Sequence, residues 1–125
     1  MPIVILIMQR QAVVQGLMSK LRYSPDLKLI YEPYYHKTNY TIKNYNAKAA
    51  LIEVAESGPY DIEYCLALCK ELRENTPECK LILMCSDQDE KTIDLVIEAK
   101  AKERIDDFVF FDVTIDYLSS KLISL

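Results

Sequence analysis

Hydrophobic positions along the chain alternate between two periods. Pro2-Ile-Val-Ile-Leu-Ile-Met8 is a continuous apolar run rich in β-branched residues, the pattern of a central parallel strand covered on both faces. From Gln11 to Leu21 the period becomes helical, with Val14, Leu17, Met18 and Leu21 at i, i+3, i+4 and i+7. Ser24-Pro-Asp26 marks a turn, and Leu27, Leu29 and Tyr31 then alternate as in an edge strand. Residues 34–48 predict a short, irregular helix. Ala49 to Ala55 predicts a third strand, stopped by Ser57-Gly58-Pro59. A helix over about Asp61 to Arg73 is expected to bury Ile62, Cys65, Leu66, Cys69 and Leu72. Leu81 to Cys85 reads as the fourth strand. Asp87 with Glu90 three residues on reads as a capping box for a helix whose inner face is Ile93, Val96, Ile97 and Ala101. Phe108 to Phe111 predicts the fifth strand, and Ile115, Leu118, Leu122 and Leu125 stripe a last helix.

Five strands each followed by a helix predict an α/β three-layer sandwich over residues 1–125, a single domain with helices on both faces of a parallel sheet. In such sheets the functional crevice lies beyond the carboxyl ends of the strands. The residues after strand one, at strand three and at the ends of strands four and five are therefore the ones to examine.

Composition narrows the function. With 125 residues, 15 Lys plus Arg and 19 Asp plus Glu, the net charge is −4, which argues against direct nucleic-acid binding by the domain. Two glycines, Gly16 and Gly58, cannot build a phosphate-cradling loop. One histidine, His36, excludes a multi-histidine metal site, and it reads as a surface residue. The longest apolar run, Ile3 to Met8, is too short to span a bilayer, and no basic segment precedes it. No membrane association and a cytoplasmic location are expected. Cysteines stand at 65, 69, 79 and 85, with Cys65 and Cys69 on one helical face. Zinc or redox chemistry would use such a pair, but the expected reading is reduced cysteines filling the core as small hydrophobes. No nucleophile–base pair or metal cluster is visible, so no enzymatic activity, cofactor or metal is expected.

The order of these elements and several strings resemble a response-regulator receiver domain of the CheY-like fold, with the NarL/FixJ subfamily as the nearest likeness. The strings are Ala12-Val-Val-Gln-Gly16-Leu17, Ser24 to Glu32, Leu51-Ile-Glu53 with Gly58 five residues later, and Ile105-Asp-Asp-Phe108-Val-Phe-Phe111. The resemblance covers essentially the whole chain and implies a parallel sheet of strand order 2-1-3-4-5. It also implies aspartyl phosphorylation assisted by Mg²⁺, a hard cation held by carboxylates. At the corresponding positions this chain departs. Met8 and Gln9 stand for the acidic pair, Glu53 for the phosphoacceptor, Cys85 with neighbouring Ser86 for the hydroxyl, and Phe111 for the lysine. A thioether and a neutral amide cannot replace two carboxylates around Mg²⁺. The resemblance thus implies a pseudo-receiver that kept the fold and lost the reaction.

Two readings of Glu53 stay open, a built-in mimic of the phosphorylated state or a silent remnant; in either, the carboxylate must be paired or neutral, with Arg10, Gln9 and Ser86 as the partners within reach. Phe108 falls at the switch-aromatic position and also suits an ordinary core aromatic. Phe111 is expected to fill the vacated pocket with apolar bulk. Tyr31, Tyr34, Tyr35, Tyr40 and Tyr45, interleaved with His36, Lys37, Lys43 and Lys48, suit a helix cover or a protein-contact patch better than base stacking. Val14, Met18 and Tyr117 widen the outer helix stripes beyond one core face, as in a homodimer. The apolar helical end Lys121 to Leu125 suits a regulatory module followed by a DNA-binding effector domain. The competing expectation is a stand-alone protein-interaction or small-ligand-binding domain.

Overall fold

The computed structural model describes every residue from Met1 to Leu125. Strands β1 (Ile3–Ile7), β2 (Lys28–Tyr31), β3 (Ala49–Glu53), β4 (Lys80–Cys85) and β5 (Asp107–Phe110) form one parallel sheet in the order β2-β1-β3-β4-β5. Helices α1 (Gln11–Lys20), α2 (Thr38–Tyr45), α3 (Ile62–Asn75), α4 (Glu90–Ala101) and α5 (Ile115–Ile123) connect and flank them, with a 3₁₀ turn (Tyr35–Lys37) leading into α2. No helix is long and apolar enough to cross a membrane.

The two-residue period of the central strands sorts their side chains into two cores. Ile5, Ile7, Ala50, Ile52, Leu81 and Leu83 pack under α2, α3 and α4, joined by Ile42, Cys65, Cys69, Leu72 and Val96. Val4, Leu6, Met8, Leu51, Ile82 and Met84 pack under α1 and α5 with Val14, Leu17, Leu118 and Leu122. Burial on both faces explains why β1, β3 and β4 carry unbroken apolar runs. Helix α1 lies close to α5 because Gly16 has no Cβ; one placed there would stand 2.9 Å from Ile115 Cδ1.

Several expectations shift. The N-cap of α4 is Asp89, not Asp87: its side chain accepts from the Lys91 amide at 3.2 Å and from the Thr92 hydroxyl at 2.8 Å. That bond lets Thr92 be buried, and the inner face becomes Thr92, Val96 and Ala99, with Ile97 and Ala101 turned outward. On α3 the buried residue is Leu68, with Leu66 only half-covered. Leu125 lies past the end of α5. Val14 is a core residue rather than part of an outer stripe, whereas Met18 and Tyr117 are exposed. The tyrosine cluster also divides. Tyr35 is fully buried, stacked on Tyr60 with centroids 4.0 Å apart, while Tyr34, Tyr40 and Tyr45 face outward.

Candidate functional site

By strand parity Met8 and Glu53 face the α1 side of the sheet at its carboxyl edge, and Phe111 follows β5 on the same side. Met8 is completely buried and forms the apolar floor. Glu53 is 4% exposed, so its carboxylate must be fully hydrogen-bonded to remain charged there. The partners come from the loop between β1 and α1. Glu53 Oε1 accepts from the backbone amides of Gln9 at 2.8 Å and Arg10 at 2.9 Å. The other oxygen, Oε2, faces Arg10 Nε at 3.4 Å. The Gln9 side chain points to solvent and contributes only its amide. Ser86 is not among the partners, because its hydroxyl instead accepts from the Gln88 amide at 3.0 Å.

Arg10 is the central group of this arrangement. Its guanidinium lies over the Phe111 ring, 3.7 Å from the centroid, and its Nη2 donates to Glu56 Oε1 at 2.9 Å. One cation thereby meets a carboxylate of β3, a carboxylate of the following loop and an aromatic face beside β5. Phe111 is half-buried, packed against the core under α1 and α5, and its ring also serves as a platform for this guanidinium. Planar guanidinium suits both the stacking and the paired carboxylates. The loop is fixed from the other side by Tyr31, whose hydroxyl donates to the Met8 carbonyl at 3.1 Å and accepts from Gln11 Nε2 at 2.7 Å.

Cys85, Ser86 and Phe108 stand apart from this network. Cys85 is buried in the opposite core, the one under α3 and α4, and burial followed by the nearby Asp87 pushes its thiol up to about 11. Ser86 lines a polar cavity of about 230 Å³ with Val54, Asp61, Gln88, Asp89 and Thr92. Phe108 is half-buried on that same side, edge-on to Phe110 with centroids 5.7 Å apart and with Lys100 Nζ 5.8 Å from its ring. Below the site, Tyr35 donates its hydroxyl to the Glu53 carbonyl at 2.7 Å, and burial followed by the Glu53 charge raises its phenol. Cys65 and Cys69 are both buried, and the Cys65 thiol donates to the Glu53 and Tyr60 carbonyls.

A magnesium ion of the kind this fold suggests does not fit these residues. The floor offers a thioether, Gln9 offers a side-chain amide directed outward, and the Glu53 carboxylate already accepts two backbone amides and faces a guanidinium. The arrangement neutralises Glu53 internally.

No family model and no curated protein matches the sequence. Among solved structures, a response regulator from Thermotoga maritima is 20% identical, with a TM-score of 0.76 over 99% of this chain and 98% of that one. A LuxR-family DNA-binding response regulator from Staphylococcus aureus is 14% identical, with a TM-score of 0.75 over 99% and 98%. A CheY-like receiver domain protein from Methanospirillum hungatei is 11% identical, with a TM-score of 0.76 over 99% and 92%. Strand order, helix placement and these likenesses agree: the chain has the CheY-like receiver fold.

Proposed function

We propose that the chain is a non-enzymatic, receiver-type signalling module that works without phosphorylation, as the regulatory part of a transcriptional regulator whose DNA-binding effector is a separate domain. The observation that carries this reading is the engagement of Glu53 by the Gln9 and Arg10 amides and the Arg10 guanidinium. A phosphoryl group arriving at this carboxylate would have to displace all three. It would find neither a metal-binding carboxylate pair nor a lysine to hold its oxygens, because Met8, Gln9 and Phe111 stand at those positions. In this reading the internal cation and carboxylate hold one fixed arrangement, and signalling depends on contacts made by the surface. A homodimer through the outer faces of α1 and α5, where Met18 and Tyr117 are exposed, belongs to the same proposal. Incubation with Mg²⁺ and a small phosphodonor, followed by intact-mass analysis, tests it. The expected mass is that of the unmodified chain. A stable gain of one phosphoryl group at Glu53 would overturn the proposal.

A further inference from the structure

The chain carries 19 acidic residues, yet none lies between Glu32 and Glu53. This acid-free stretch folds into the 3₁₀ turn and α2, and it presents Tyr34, Tyr40 and Tyr45 at 54%, 69% and 40% exposure. Lys37 and Lys43 stand beside them, both exposed and outside every ion pair of the structure. Lys37 is held 5.0 Å from the Tyr34 ring. Glu32, at the start of the stretch, is buried and turned inward, accepting from the Thr41 hydroxyl at 2.7 Å and the Tyr34 amide at 3.0 Å, so it does not neutralise the face. Lys48 is occupied by the Leu125 carbonyl at 2.5 Å.

The face continues into a groove of about 300 Å³ between the ends of α2 and α3. Its floor is Ile42, Ala47 and Cys79, and its rim includes Lys43, Asn46 and Glu78. Lys43 belongs to both the helix face and the groove. An unpaired cation at the mouth of an apolar-floored groove, flanked by exposed tyrosines, is the composition of a protein-contact surface. Two free lysines on a chain of net charge −4 supply too little positive potential to hold a phosphate backbone.

We propose that the outer face of α2 and the adjoining groove dock an acidic segment of a protein partner, with its carboxylates on Lys37 and Lys43 and one apolar side chain seated over Ile42 and Cys79. The surface lies on the opposite side of the sheet from α1 and α5, so it is free while those helices pair. Amide-resolved NMR of the labelled chain tests this with a synthetic Asp/Glu-rich peptide carrying a single central leucine. Saturable shifts confined to residues 34–46 and 76–79 are expected. Replacing the leucine by serine should weaken binding several-fold, and the double reversal Lys37→Glu with Lys43→Glu should weaken it at least tenfold. Tyr40→Ser, also fully surface-directed, should weaken it without altering the fold, as checked by circular dichroism. Shifts scattered over other faces, an absence of saturable binding, an unchanged affinity in the double reversal, or tighter binding of an oligothymidylate in parallel would each overturn the proposal.

Discussion

Replacing Glu53 by glutamine removes one charge while leaving the shape of the site nearly intact. The carboxylate accepts two backbone amides at 2.8 and 2.9 Å. A hydrogen bond to a charged acceptor contributes about 1.5–3 kcal/mol against about 0.5–1.5 for a neutral one, so the pair weakens by about 2 kcal/mol in total. The Arg10 ion pair adds less than about 1 kcal/mol, because that guanidinium side chain is 41% exposed and its interaction with Glu53 is screened. The new amide must also place its NH₂ beside Arg10, donor against donor. The expected loss is about 2–3 kcal/mol, or about 10 °C in Tm for a domain of this size. Urea unfolding of Glu53→Gln should show a lower midpoint at unchanged m-value. Arg10→Ala should cost about 1 kcal/mol, through the exposed ion pair and the stacking on Phe111. The double variant should lose less than the two singles together, since they share one interaction. A Glu53→Gln stability within about 0.5 kcal/mol of the parent would refute the reasoning, because only a carboxylate making no net contribution gives that result.

Two further outcomes follow from groups outside the site. Burial raises the Asp107 carboxyl, but hydrogen bonds from Lys121, Lys100 and the Phe108 amide outweigh it and hold the carboxyl below the ordinary aspartate value of 3.8. A lowered folded-state pKa stabilises above the unfolded value and is lost as pH falls through the folded one. Asp107→Asn should therefore lower stability at neutral pH and flatten the acid loss below pH 3.8, as read by urea midpoints against pH; an unchanged acid limb contradicts this. The cysteines form the second case: burial pushes Cys69 and Cys79 up to about 12 and Cys85 up to about 11, and raises Cys65 as well. All four thiols should resist a thiol reagent in the native protein and react together on unfolding; one fast-reacting cysteine under native conditions would contradict their burial.

Much of the fold was legible because its signals are local. Runs such as Ile3 to Ile7 and Leu81 to Cys85 carry the two-sided burial of central strands directly, but the apolar run of strand three reads on to Ala55, and only the resemblance singles out Glu53, where the strand ends. What escaped the sequence depends on how loops return. The sequence offers Arg10 as a partner for Glu53, but the stacking of its guanidinium on Phe111 and its pairing with Glu56 have no periodic signature. Arg10 becomes the centre of the site only because the β1–α1 loop turns its amide and that of Gln9 onto Glu53 and sets the guanidinium over Phe111. Tyr35 sits in a polar-aromatic run that reads as surface, yet it is buried because its hydroxyl meets the Glu53 carbonyl and its ring meets Tyr60. On α4 large side chains misdirect: Ile97 faces water, while Thr92, satisfied by Asp89, faces the core. Hydrophobicity alone does not see a hydroxyl with a partner.

The central claim is that Glu53 is already occupied by this chain's own amides and guanidinium. The amide signals of Gln9 and Arg10 report that occupation directly, since both N–H groups donate to Glu53 Oε1. Recorded by NMR with and without millimolar Mg²⁺ and a phosphodonor, both signals should stay in place and remain protected from exchange. A saturable, magnesium-dependent shift of these two amides would contradict the account, because it requires Glu53 to release them for a cation.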